Sequence, residues 1–172
     1  MRLNSITHRH LSFCIVLLSW GALGVALFTQ HALDMQPCPW CVAQRMLYIL
    51  CGALALLAAL VPAGGTATRL LAGFFLAHVL LLAEGALATA LYQHLVAAAT
   101  DSCGITAVDR LLASTGLADW MPAVFQPQAA CNEADQPLLG LPYSLWSATL
   151  ASLLIVLTLA GLGRLVQARR PF

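Results

Sequence analysis

Cys38-Pro39-Trp40-Cys41-Val42-Ala43-Gln44-Arg45 stands at the mouth of an apolar run, Val42 to Val61, that is long enough to cross a bilayer. Three similar runs accompany it, Leu11 to Phe28, Leu70 to Leu91 and Tyr143 to Gly163. Each is close to the ~20 residues with which a helix spans ~30 Å of hydrocarbon. Only helices and closed barrels satisfy their backbone in lipid, and these runs lack the alternation of barrel strands. Composition agrees. Of 172 residues, 60% are hydrophobic, only 9% are charged, and none is lysine, whereas soluble domains carry about 25% charged residues. The expected fold is an all-α membrane protein, a four-transmembrane-helix bundle in a single domain over 1–172. Its spans lie at about 11–30, 42–61, 70–91 and 143–163.

Arg2 and Arg9 ahead of the first run also suit a signal peptide. The run outlasts the ~7–15 residues of a signal h-region and a second span follows closely, so it reads as a retained helix. Orientation follows from the arginines. Arg2, Arg9, Arg69, Arg164, Arg169 and Arg170 lie in the two termini and the second loop, while the other two loops hold Asp34, Asp101, Asp109, Asp119, Glu133 and Asp135 against Arg110 alone. Cytoplasmic segments are enriched in arginine and lysine, which puts both termini inside. Loops 31–41 and 92–142 then face outward, which in a bacterium is the periplasm, where disulfides persist.

Within that frame the eight-residue stretch reads as redox chemistry. Pro37 and Pro39 make a rigid, non-helical entry. Cys41 falls at the start of the second helix, where unpaired N–H groups and the helix dipole favour a thiolate. Arg45 is one turn further along the same face. An arginine inside a span costs ~2.5 kcal/mol or more, and the neighbouring cysteine pair makes function the better explanation than snorkelling. Cys14 and Cys51 sit among apolar residues and read as buried packing. Glu84 and His78 are intramembrane ionisable groups in the third run. Glu84 suits either a protonated group hydrogen-bonded to a neighbouring helix or an approach to Arg45 across the bundle, and His78 suits an interhelical hydrogen bond. His94 follows at the outer mouth, either solvated or part of a pocket.

Cys103 and Cys131 lie in the long outer loop. Between them, Thr106 to Asp109 reads as a capping box opening a short helix that Gly116 stops. Its apolar side, from Val108 to Phe125, suits the membrane interface, with a small packed subdomain as the other reading. Two cysteine pairs on the oxidising side suggest two disulfides, Cys38–Cys41 and Cys103–Cys131. A CxxC pair closes too small a loop to add much stability, so its value is reactivity. A four-cysteine zinc site would need a second close pair, which is missing, so no metal is expected. Paired axial histidines for haem are absent from the helices as well.

Cys-Pro-x-Cys-x-x-Gln-Arg after a first transmembrane helix resembles the disulfide bond formation protein B (DsbB) family. Gln30-His31, His94, Cys103-Gly104, Trp120 to Phe125, Cys131 and Leu139 to Pro142 extend the resemblance in the same order over essentially the whole chain. The resemblance implies a bacterial inner-membrane oxidoreductase that reoxidises a periplasmic DsbA-like thiol oxidase and reduces a membrane quinone, ubiquinone or menaquinone. It implies redox roles for Cys38, Cys41, Cys103 and Cys131, with Arg45 and, less directly, His94 and Gln30 at the quinone. The contrasting expectation is a tetraspanin-like scaffold with structural disulfides. That class looks for Cys-Cys-Gly in its large loop, where this chain has Ser102-Cys103-Gly104, and it gives Arg45 no role.

Overall fold

A computed structural model of the protein describes residues 8–62, 65–99 and 107–167. Among them four helices are long and apolar enough to cross a membrane. These are α1 (His8–Ala32), α2 (Pro39–Leu60), α3 (Thr66–Tyr92) and α8 (Tyr143–Gln167). All run beyond their apolar cores, because the helical hydrogen-bond ladder continues through polar residues at the headgroup level. Gln30, at the expected end of the first span, lies in the last turn of α1, which continues to Ala32. The bundle core runs through Ile15, Cys51, Ala55, Leu76, Ala83 and Leu154. Its many alanines allow close helix approach, the usual substitute in lipid for a hydrophobic driving force. The tightest point is Gly52, where an added Cβ would overlap the Trp20 indole. That indole donates to the Ile49 carbonyl at 3.3 Å.

The long loop is built on the same end of the bundle as the cysteine pair. It contains α4 (Ala107–Thr115), α5 (Leu117–Trp120), α6 (Pro122–Phe125) and α7 (Cys131–Ala134). Gly116, at φ 65°, ends α4 as expected. Leu112, Val124 and Phe125 bury themselves against Val42 of α2, with Leu23, Leu27 and Met46 around them. Leu111, Trp120 and Met121 stay exposed on the far edge. The loop thus packs on the bundle and still presents an apolar rim. A hairpin, β1 (Pro137–Leu138) and β2 (Leu141–Pro142), leads into α8.

Three expectations are corrected. Glu84 is exposed on the outer surface of α3 and does not approach Arg45, whose partners come from α1 and the loop. His78 is exposed too, bonded to Phe74 O of its own helix at 2.8 Å rather than to a neighbouring helix. Cys14 points outward instead of packing inside, whereas Cys51 is fully buried as expected. Helix α3 is apolar almost all round, so its pattern carries no signal for which face turns inward. Cys103, the Thr106 side of the capping box, Arg2, Arg169 and Arg170 lie outside the described residues.

Candidate active site

Helix α2 begins at the cysteine pair, and its first turn organises the site. Cys38 is the N-cap, extended at φ −86° and ψ 170°, and Pro39 is the first helical residue. That position suits proline, since its missing N–H would have no partner there. The Cys41 N–H donates to Cys38 Sγ at 3.3 Å, so a sulfur takes the place of the usual capping oxygen. The two sulfurs approach to 2.9 Å, and neither is in a disulfide. Cys38 is fully buried, while Cys41 keeps some exposure.

The loop delivers a third sulfur. The N–H groups of Gln128 and Ala129 donate to the Pro37 carbonyl at 2.8 and 3.2 Å. This docks the segment just before Cys131 onto the residue just before Cys38. The Cys38 thiol then hydrogen-bonds the Cys131 sulfur, which also meets the Trp40 backbone N–H. These contacts hold the Cys131 thiol below the ordinary range. The Cys38 hydrogen bond is the largest cause, and burial and the Cys41 and Asp109 charges oppose it. As the donor, Cys38 is pushed up. The three sulfurs form a row with Cys38 in the middle.

Arg45 sits one turn below, 6% exposed. Its Nη1 donates to Gln30 Oε1 at 2.8 Å and to the Val124 carbonyl at 3.0 Å, and Nη2 reaches the Ala26 carbonyl at 3.5 Å. Val124 is in the last turn of α6, where carbonyls lack helical partners and are free to accept. Gln30 and Arg45 are therefore brought together as the sequence suggests. His94 is placed elsewhere. Its Nδ1 lies 3.2 Å from Asp135 Oδ2 and 3.1 Å from Ser144 Oγ. Ser144 also donates twice to Asp135, so this cluster pins the end of α3 and the loop to the start of α8.

Two residues were missed as site residues. After Tyr92 the chain takes one wider turn, a π-helical Gln93–Ala97, and Gln93 turns inward. Its Nε2 donates to Cys41 Sγ at 3.3 Å, while its Oε1 accepts from Gln44 Nε2 at 2.7 Å. Gln44 stands inside the motif, and its spacing of three from Cys41 was the available signal.

Cys41 and Arg45 open onto a cavity of about 260 Å³ between α1, α2 and α8. Leu23, Val25, Ala26, Leu138, Leu139 and Leu150 supply apolar wall, and Gln44, Arg45, Tyr48 and Tyr143 supply polar groups. Tyr48 is held by Ser147, 2.7 Å between hydroxyls, and Tyr143 by Thr29 at 3.4 Å. A mostly apolar slot with a few convergent polar groups is the usual make-up of a small-molecule site.

The model of the family described as disulfide bond formation protein DsbB matches residues 8–161. The chain belongs to the DsbB family. Among similar proteins, disulfide bond formation protein B of Ralstonia nicotianae is 34% identical over 145 residues, covering 77% of this chain and 80% of that one. The protein of that name from Cupriavidus metallidurans is 34% identical over 161 residues, covering 93% of each chain. The one from Chromobacterium violaceum is 34% identical over 164 residues, covering 95% of this chain and 98% of the other. No solved structure matches. A DsbB protein is an oxidoreductase of disulfide bond formation, and with four apolar helices this one is a multi-pass membrane protein. The scaffold alternative is set aside.

Proposed function

We propose that the protein reoxidises a periplasmic DsbA-like thiol oxidase and passes the electrons to a membrane quinone, sustaining disulfide formation from the bacterial inner membrane. Loops 31–41 and 92–142 face the periplasm in this reading. The row Cys131, Cys38, Cys41, ending at an apolar slot with a buried cation, supports it best.

Each exchange step trades one disulfide for another, so electrons are conserved among the sulfurs. A thiolate of the reduced partner attacks Cys103 of a Cys103–Cys131 disulfide, forming a mixed disulfide and releasing Cys131 as thiolate. Cys131, at hydrogen-bond range of Cys38 and already inclined to ionise, attacks Cys38 Sγ. The Cys131–Cys38 bond forms, the Cys38–Cys41 bond breaks, and the electron pair stays on Cys41. A bound quinone supplies a two-electron acceptor beside that sulfur. The slot fits such a group, being apolar enough for a flat ring and open enough for a lipid tail, with Arg45, Gln44, Tyr48 and Tyr143 able to bind ring oxygens. Arg45 adds a fixed cation at low dielectric, which favours negative charge developing nearby. His94 stands back from the slot and acts here by fixing the loop.

The test is to mix reduced partner with Cys41→Ser protein in detergent and to follow both quinone absorbance and cysteine pairing by mass spectrometry. Quinone reduction should stop, and no Cys38–Cys41 disulfide can form. Normal quinone reduction by Cys41→Ser would sink the reading.

A further inference from the structure

We infer that Gln93, held in place by Gln44, is a catalytic hydrogen-bond donor to Cys41, stabilising the charge that arrives on this sulfur when Cys131 displaces it from Cys38. The inference rests on the proposed relay and assigns a role to two residues outside the cysteine and arginine pattern.

The cation of the site does not make this contact. Among the described residues, the bonds of Arg45 go to Gln30, Val124 and Ala26, and its influence on Cys41 is electrostatic and longer-ranged. Apart from Cys38 Sγ at 2.9 Å, the sulfur from which Cys41 is displaced, the side-chain donor at hydrogen-bond distance among the described residues is Gln93 Nε2, 3.3 Å from Cys41 Sγ. A primary amide can present either end to a neighbour, so its identity as a donor must be fixed from outside. Gln44 does this. By donating to Gln93 Oε1 at 2.7 Å it leaves Nε2 as the end that faces sulfur. Both amides are buried, Gln44 at 5% and Gln93 at 1% exposed. Buried amides are costly unless satisfied, and here the sulfur is part of what satisfies them.

The direction of approach matters as well. Cys41 and Gln44 line the slot, whereas Gln93 does not. Gln93 therefore supports Cys41 from the α3 side and leaves its slot-facing side open for a ligand. An amide also lends a partial positive charge without becoming a counter-ion. In thiol–disulfide exchange the better-stabilised leaving sulfur departs faster. Breaking Cys38–Cys41 puts an electron pair on Cys41, and the N–H of Gln93 is already aimed at it.

The experiment uses the full-length, fully reduced chain in detergent, with neither quinone nor thiol partner present. Alkylation of Cys41 by iodoacetamide is followed against pH, resolved by peptide mass, in wild type, Gln93→Leu, Gln44→Leu and Gln93→Glu. Loss of a hydrogen bond to a charged sulfur should slow Cys41 alkylation about tenfold at neutral pH in Gln93→Leu. The midpoint should move to higher pH by about one unit, while the limiting rate at high pH stays unchanged. Gln44→Leu should shift the same way by less, and Gln93→Glu by more if its carboxylate is ionised. A merely structural role would change the limiting rate and leave the midpoint in place. Gln93→Asn, whose amide is one methylene shorter, makes the same measurement if Gln93→Leu fails to fold. An unchanged midpoint in the folded variant overturns the inference. Because no quinone or partner is used, a failed relay would show separately, as wild-type protein that does not reduce quinone while its Cys41 midpoint still responds to Gln93.

Discussion

Cys41 and Cys51 lie on one helix, and the chain treats them in opposite ways. Cys51 is sealed among Ala55, Val79 and Ala83, with a long 3.9 Å approach to the Val79 carbonyl as its polar contact. Cys41 has a second sulfur at 2.9 Å, an amide donor at 3.3 Å, an arginine below it and a slot in front of it. A thiol becomes reactive through access and through groups that stabilise its thiolate, and only the outer end of α2 supplies both. The sharpest way to break this contrast is to exchange the losses. Cys41→Ser should lower quinone reduction by about 10³-fold or more, as removal of an essential nucleophile does. Cys14→Ser with Cys51→Ala should leave turnover within about twofold, with about 1 kcal/mol lost in stability from the small cavity at Cys51. Steady-state assays and thermal melts of the two variants check this. Loss of electron transfer in the second variant would erase the distinction.

Arg45 sharpens the contrast from the side of charge. Arg45→Met keeps the length and apolar stem but leaves Gln30 Oε1 and the Val124 carbonyl without their donor. Turnover should fall about 10²-fold, the scale seen when one group facing developing charge is removed. Melting should also come earlier, because the loop loses a tie to the bundle. Full turnover in Arg45→Met at saturating quinone would remove Arg45 from the chemistry.

Much of this was legible in the sequence, for unequal physical reasons. The four spans are written in runs of apolar residues, and no other solution satisfies a backbone in lipid. The cysteine pair and Arg45 are legible because helix geometry places residues 41 and 45 on one face. The facing of Glu84 is not legible, since an all-apolar helix offers no polar side to turn outward. Gln93 is hidden for a different reason. It sits between Tyr92 and His94 in what reads as the polar exit of a span, and the π-helical turn that swings it inward has no sequence signature. The docking of Cys131 depends on a carbonyl at Pro37 and amides at Gln128 and Ala129, contacts that backbone groups of almost any sequence could make.

A smaller effect is expected where the slot meets the hairpin. Leu139 is at φ 51° and 87% exposed, and with Gly140 at φ 85° it forms the tip. A left-handed backbone is costly for a residue with a Cβ and free for glycine. Leu139→Gly should therefore raise stability by roughly 0.5–1 kcal/mol, read as a higher melting temperature. A lower melting temperature would mean that the exposed leucine gains more from its surroundings than the backbone loses.

The smallest effect tests the electrostatics of the incoming sulfur. Asp109, near the start of α4, acts against the Cys131 thiolate as a like charge. Asp109→Asn removes that repulsion while keeping the side chain's size. The thiolate fraction of Cys131 should rise, and its alkylation at pH 7 should quicken by about twofold, the scale of a single charge at a solvated surface. The gain should shrink as salt is raised, because ions screen charges separated by solvent. Cys41, held by an amide and facing the slot, should respond little to either change. Equal acceleration of both cysteines would show that the loop had loosened, whereas a salt-sensitive gain confined to Cys131 would separate the charge-tuned sulfur at the surface from the amide-tuned sulfur at the slot.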